Sequence, residues 1–244
     1  MPGMMKPPGN GRFPTTHWTL IARLKSEDGK ESSAALDELC AQYHYPLYCY
    51  IRWRGLDHHE AQDALHDFLA RLMRLESLKD ADEAKGRLRT YLATALQRYL
   101  INRNRDNQHR LREIALDGDV EERFRHEDFA DQLTPEVVLE RTWAMTVLRA
   151  TLKDLANAQE AAGKGAQFFL LEPFLNPEGN PEAADYPAVA LKLGIAESAA
   201  RQAVKRLREK FRQHLRQRIA DTLSHPTTEL IDEEIKALLA ASMK

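Results

Sequence analysis

Cysteine is almost missing from this chain. Cys40 and Cys49 are the only two in 244 residues, and neither has partners at the spacing a zinc site or a disulfide framework needs. A reducing, cytoplasmic setting is the expectation that follows. Glycine and proline are scarce, with 11 of each, which leaves long stretches free of helix breakers. Alternating runs of Val, Ile and Thr are also missing, so little or no sheet is expected. No apolar run approaches a membrane span. Residues 1–14, expected to be a flexible start, hold Pro and Gly but no apolar centre of signal-peptide length, so neither insertion nor export is expected. What remains is 43% hydrophobic and 30% charged, the balance of a soluble helical protein. A chain of this length suits two compact units joined by a linker.

The formal net charge of −2 conceals segregation along the chain. Lys85, Arg87, Arg89, Arg98, Arg103, Arg105, Arg110 and Arg112 are opposed within their stretch by Asp106 alone. From Glu113 to Glu140 the sign reverses, and Asp117, Asp119, Glu121, Glu122, Glu127, Asp128, Asp131 and Glu136 outweigh Arg123 and Arg125. A second basic block runs from Lys192 to Arg218. Two basic surfaces flanking an acidic connector are the first pointer to function.

Periodicity places the elements. Thr15 or Thr16 can cap a short helix carrying Trp18, Leu20, Ile21 and Leu24. Leu36, Leu39, Cys40, Tyr43, Leu47, Tyr50 and Ile51 recur at helical spacing, with Pro46 expected as a kink and Gly55 as the turn that ends the segment. Asp57 and Glu60 have capping-box spacing ahead of a stripe through Ala61, Ala64, Leu65, Phe68, Leu69 and Leu72. A third stripe, Leu88, Tyr91, Leu92, Ala95, Leu96, Tyr99 and Leu100, completes a predicted bundle. Periodicity fades over 113–133, where an acidic linker is expected. Thr134 and Pro135 form a cap and first-turn pair opening a second unit over 134–222. Its first helix carries Val138, Leu139, Trp143, Val147, Leu148, Leu152 and Leu155. Gly163 and Gly165 break the chain before Phe168, Leu171 and Phe174. Residues 223–244 hold a further amphipathic helix, either packed on the second unit or a regulatory handle.

The segment from Asp185 to Ile195 reads as a short helix closed by Gly194, and a longer helix follows from Glu197. Ala190 and Ala200 are small enough to let the two cross closely, and Gly194 supplies the turn, which is helix-turn-helix logic. Ser198, Arg201, Gln202, Lys205, Arg206 and Arg208 share the outward face. Arg201 and Gln202 suit base edges in a major groove, and Lys205, Arg206 and Arg208 suit phosphates. A solvated basic helix in an ordinary bundle is the blander alternative, but the small-residue crossing and glycine turn favour DNA binding.

In the first unit, arginines stand beside tyrosines from Lys85 to Arg105. Positive charge attracts a phosphate backbone, and an exposed ring can stack on unpaired bases. Tyr91 and Tyr99 lie on the apolar stripe, which favours a core role for each. Glu60, Asp63, His66 and Asp67 share one helical face like half of a metal site, but a complete carboxylate site needs a second matching helix, so no metal, cofactor or catalytic residue is expected.

In this order the pieces resemble the extracytoplasmic-function sigma factors of bacterial RNA polymerase, over about residues 15–220. The segments 47–56 and 60–72 look like the part that grips the polymerase clamp, Leu88-Arg89-Thr90-Tyr91-Leu92 like the opening of the −10 segment, and 186–208 like the −35 reader. The resemblance implies an all-α protein with a sigma domain 2-like bundle over 15–112 and a sigma domain 4-like helix-turn-helix domain over 134–222, joined by the linker. It implies a non-enzymatic role in promoter recognition and melting, with core RNA polymerase (clamp and flap) and promoter DNA as partners and an anti-sigma factor left open. Asp63, His66, Asp67 and Arg71 would face polymerase. Arg87, Arg89, Tyr91, Arg98, Asn102, Arg103 and Arg105 would engage the −10 element and its opened strand. The −35 element would fall to Ser198, Arg201, Gln202, Lys205, Arg206 and Arg208. The acidic linker suits a strand lying in a channel built for nucleic acid. The sequence departs from the family at Ala64 and His66, where a Leu-x-Gln pair is common, and at Arg98 and Asn102, where Asn and Asp are frequent. A helix-turn-helix regulator acting without polymerase is the alternative, and a helical adaptor for acidic proteins a third.

Overall fold

The computed structural model describes residues 23, 24, 26, 28–74, 88–106, 121–124, 133–175, 185–223 and 226–243. Among them there is no strand. The helices are α1 (Gly29–Trp53), α2 (His58–Arg74), α3 (Leu88–Asp106), α4 (Pro135–Ala161), α5 (Gly165–Leu171), α6 (Tyr186–Leu193), α7 (Glu197–Ala220) and α8 (Thr228–Ser242), with a 3-10 turn at Glu172–Phe174. The expected all-helical class holds over these residues. The expected helix at Trp18 to Ile21, Arg87, and most of 113–133 lie outside them.

Local chemistry sets the helix ends. Asp28 caps α1 by accepting from the Lys30 amide at 2.9 Å. Asp57 and Glu60 form the expected reciprocal box: the Glu60 amide donates to Asp57 Oδ1 at 2.8 Å and the Asp57 amide to Glu60 Oε2 at 3.1 Å, satisfying two orphan donors. Thr134 caps α4 through the Val137 amide, with Pro135 at the first position. Pro46 does not end α1, which runs on to Trp53. Every residue from Tyr45 to Ile51 is buried, and that packing offsets the backbone bond a helical proline removes.

The main core joins α1, α2 and α3 (Leu39, Leu47, Ile51, Leu65, Leu92, Leu96) to Val138, Leu139 and Trp143 of α4, then to Leu215 and Ile219 of α7 and Leu238 of α8. A smaller core gathers Leu155, Phe168, Leu171, Phe174, Val204 and Leu207. At 1.5 Å per residue the 27 residues of α4 span about 40 Å. That length lets its first half serve the main core and its second half the smaller one. The boundary expected at 113–133 therefore does not divide the core: α4, assigned from sequence to the second unit, packs most extensively on α1. The reason lies in residues 138–148 of α4, where Val138, Leu139, Thr142, Trp143, Ala144, Met145, Val147 and Leu148 are all buried. A helix apolar on nearly every side must be enclosed rather than lie on one partner.

Several tyrosine hydroxyls sit inside this packing. Tyr50 donates to Glu136 at 3.2 Å, and burial pushes its pKa up to about 12. Burial raises Tyr43, Tyr48 and Tyr99 as well. Because the folded values lie above the unfolded value near 10, the stability these phenols contribute is complete below about pH 10 and is lost as pH rises through the folded values. An alkaline titration is expected to show phenolate absorbance and loss of helical circular dichroism rising together above about pH 10. Full tyrosine ionisation with the helix signal intact would contradict the buried placement.

Among the described residues no helix is long and apolar enough to cross a membrane.

Candidate nucleic-acid interface

The best-formed candidate is the pair α6 and α7. Asp185 caps α6 by accepting from the Ala188 amide at 2.9 Å, and Pro187 occupies its first turn. Gly194 stops it in the left-handed region, at φ 64°. The Ile195 amide then reaches back to the Ala190 carbonyl at 3.0 Å, the backbone pattern of a Schellman end. Ala190 is 4% exposed and Ala200 is sealed, so the helices cross at the small residues identified from sequence. Below the crossing, Val204 and Leu207 of α7 enter the smaller core.

A Cβ at Gly194 would meet nothing within 4 Å, so backbone conformation alone selects glycine there. Gly194→Val is expected to lower stability by about 1–2 kcal/mol. Gly194→Asn should cost clearly less, because Asn tolerates the left-handed region. Equal losses for the two variants in urea denaturation would refute the conformational explanation.

The outward face of α7 is as expected at five positions: Ser198, Arg201, Gln202, Lys205 and Arg206 are exposed. Tyr186, Arg201, Gln202, Lys205, Arg208 and Arg212 line a cleft of about 520 Å³ along it. Two members are already engaged. Arg201 donates to Glu197 at 2.9 and 2.6 Å, and its guanidinium lies 4.3 Å from the centre of the Tyr186 ring. Arg208 is only half-exposed and donates to the Phe174 carbonyl at 3.3 and 3.2 Å. It therefore braces α7 against the 3-10 turn, which corrects its assignment as a free phosphate contact.

On α3 the largest correction concerns Arg89, which is 4% exposed. Its Nε donates to both oxygens of Glu140 on α4, at 3.0 and 2.9 Å, and its Nη1 donates to Glu234 on α8. Its guanidinium lies 4.2 Å over Trp143. A cation so buried needs its charge matched; Glu140 and Glu234 do that, although Nη2 is sealed without a hydrogen-bond partner, so Arg89 ties three helices together and is not part of an exposed basic face. Arg103 is half-exposed and donates to the Glu60 carbonyl at 3.0 Å. Tyr91 is half-buried against the main core. The exposed face of α3 is Thr90, Thr94, Arg98, Ile101 and Asn102, so Arg98 and Asn102 are the expected contacts that stand clear of the core. Arg87 and the side chain of Arg105 lie outside the described residues.

On α2, His66, Asp67 and Arg71 are exposed and Asp63 is half-exposed. Asp67 accepts from the Tyr99 hydroxyl at 2.8 Å and pairs with Arg71 at 3.2 Å, while Arg71 stands 5.1 Å from the centre of the Tyr99 ring. These contacts fix α2 on α3, while the His66 ring stands 6.4 Å from that of His44 on α1. Among the described residues no group of three or more His, Cys, Asp and Glu is placed to hold a metal ion.

Sequence reasoning missed a second, partly buried charge cluster. Glu121, expected as part of a free acidic connector, pairs with Arg52 of α1, accepts from the Tyr48 hydroxyl at 2.8 Å and stands 3.1 Å from His58. Phe124, one turn later, packs edge-on to Tyr48 at 6.0 Å between ring centres. The turn at 121–124 is thereby docked on α1. The available signal was Phe124, one of two phenylalanines, with Phe129, in a mostly polar stretch.

Comparison of the chain with family models, curated proteins and solved structures finds no match.

Proposed function

We propose that the chain is a sigma-type initiation factor: a non-enzymatic protein that holds core RNA polymerase and directs it to promoter DNA. The observation that carries this reading is the outward face of α7, where exposed Ser198, Arg201, Gln202, Lys205 and Arg206 sit on a helix aimed by the Gly194 turn and the Ala190–Ala200 crossing. Such a face can enter a major groove, with Gln202 and Arg201 at base edges and Lys205 and Arg206 at phosphates. The exposed face of α3, with Arg98, Asn102 and the apolar Ile101, would meet the −10 region. The α2 surface around His66 and Asp63 would meet the polymerase clamp.

A helix-turn-helix regulator that needs no polymerase is the second reading. One observation favours it: a core that runs unbroken from α1 through α4 to α7 suits a single rigid DNA-binding body. Mixing purified core polymerase, the chain and a labelled promoter duplex separates the two. A sigma-type factor co-elutes with core polymerase and retards the duplex as a ternary complex. A regulator retards the duplex alone, and an adaptor does neither.

A further inference from the structure

Arg206 projects from the flank of α7, where it borders two clefts: the DNA-facing one already described and a second, of about 440 Å³, between the end of α4, α5 and α7. We propose that this second cleft binds a small phosphorylated heterocycle of nucleotide size. Three cations rim it, Lys164, Arg206 and Lys210, and none takes an ion pair with a described residue. Glu160, whose carboxylate sits over Gly165, does not line the cleft. One planar guanidinium and two ammonium groups bordering one cleft match a phosphate, which a guanidinium can grip with two parallel hydrogen bonds.

The other wall says what the phosphate is attached to. Phe168, Leu171 and Leu207, each buried in the smaller core, also line the cleft, and the apolar edge they leave open is where a ring would lose water at little cost. Gln159 of α4 also lines the cleft. It is 6% exposed, and its side chain has no hydrogen-bond partner among the described residues. Its amide is not among the sealed polar atoms, so it opens on the cleft. A primary amide donates and accepts side by side, as the edge of a nucleobase does. The volume lies within the ordinary range for small-ligand sites, about 300–1,000 Å³. A DNA backbone fits this space less well: duplex phosphates ride on a continuous strand that would cross the rim, and neither the apolar wall nor Gln159 has any use for a phosphodiester.

Arg206 gives the site a consequence. One guanidinium cannot hold a bound phosphate and a DNA phosphate together, so the nucleotide weakens DNA binding and DNA weakens nucleotide binding by the same factor. This coupling rests on the DNA-binding reading above, whereas occupancy of the cleft does not.

The probes are AMP, GMP, CMP and UMP, titrated calorimetrically into the full chain with inorganic pyrophosphate as the control anion. At least one nucleotide is expected to bind at one site per chain, more tightly than pyrophosphate. Lys210→Ala, at an exposed position, and Gln159→Leu, which keeps the volume and drops the amide, are each expected to weaken it about tenfold, the worth of one charged hydrogen bond for the lysine and of a paired neutral donor and acceptor for the amide. Lys153→Ala, exposed on α4 outside the cleft, should change nothing. Should no nucleotide bind, should pyrophosphate bind equally well, or should both Lys210→Ala and Gln159→Leu bind like the parent, the site is refuted. Nucleotide binding with no effect on duplex affinity would leave the site standing and remove only its link to DNA.

Discussion

Arg89→Ala is expected to destabilise the folded chain by about 3–5 kcal/mol, the range for removing one partner of a buried ion pair. At about 2–4 °C per kcal/mol for a chain of this size, Tm falls by roughly 6–20 °C. The physical reason is the lost match of charge. Glu234 has a side chain 5% exposed and would lose the Arg89 guanidinium from a site with little access to water, while Trp143 would lose the guanidinium over its ring. Glu140, 36% exposed, can rehydrate and adds less. The double variant Arg89→Met with Glu234→Leu is therefore expected to recover most of the loss, because apolar groups of similar volume often replace a buried pair at little net cost. Urea denaturation of the two single variants and the double gives the coupling directly. A double variant no more stable than Arg89→Ala would mean the site acts through packing and not through charge.

The second large effect is at the proposed DNA face. Gln202→Ala is expected to cost about 1–3 kcal/mol against the preferred duplex, or roughly 5- to 140-fold in affinity, and to relax preference at one base pair only. Lys205→Ala should weaken every duplex alike and reduce the slope of log affinity against log salt by about 0.9, one phosphate contact. Arg201 lies between these cases, since a base must compete with Glu197 and Tyr186 for its guanidinium. Glu197→Ala is expected to strengthen binding by releasing it. Fluorescence anisotropy at several salt concentrations distinguishes the effects, and a uniform loss for Gln202→Ala would remove that residue from base readout.

What could be read in advance was local. The capping box at Asp57 and Glu60, the left-handed stop at Gly194 and the exposed face from Ser198 to Arg206 depend on residues within a turn or two of one another, so spacing alone was enough. The misreadings share the opposite property. Arg89 stands between two apolar-stripe positions and looks like one arginine in a basic run. Only the fold brings up Glu140, 51 residues on, and Glu234, 145 residues on. Arg208 meets the Phe174 carbonyl across 34 residues, and Arg52 meets Glu121 across 69. Charge blocks along a sequence predict a surface only where no distant partner claims the charge. The continuity of the core across the expected linker was hidden for a related reason. A stripe through Val138, Leu139, Trp143 and Val147 is visible in the sequence, but the burial of Thr142, Ala144 and Met145 on the remaining sides of α4 depends on α1, α7 and α8 closing around it.

The central claim is that the chain gives core polymerase the power to choose and open promoters. The most direct measurement is run-off transcription with purified core enzyme on a genomic promoter library, with and without the chain. Discrete transcripts that appear only when the chain is added, share a common sequence upstream of their start sites and weaken with Gln202→Ala are the expected result. Core enzyme giving the same nonspecific products with the chain as without it, while the chain still binds duplex DNA, would contradict the account.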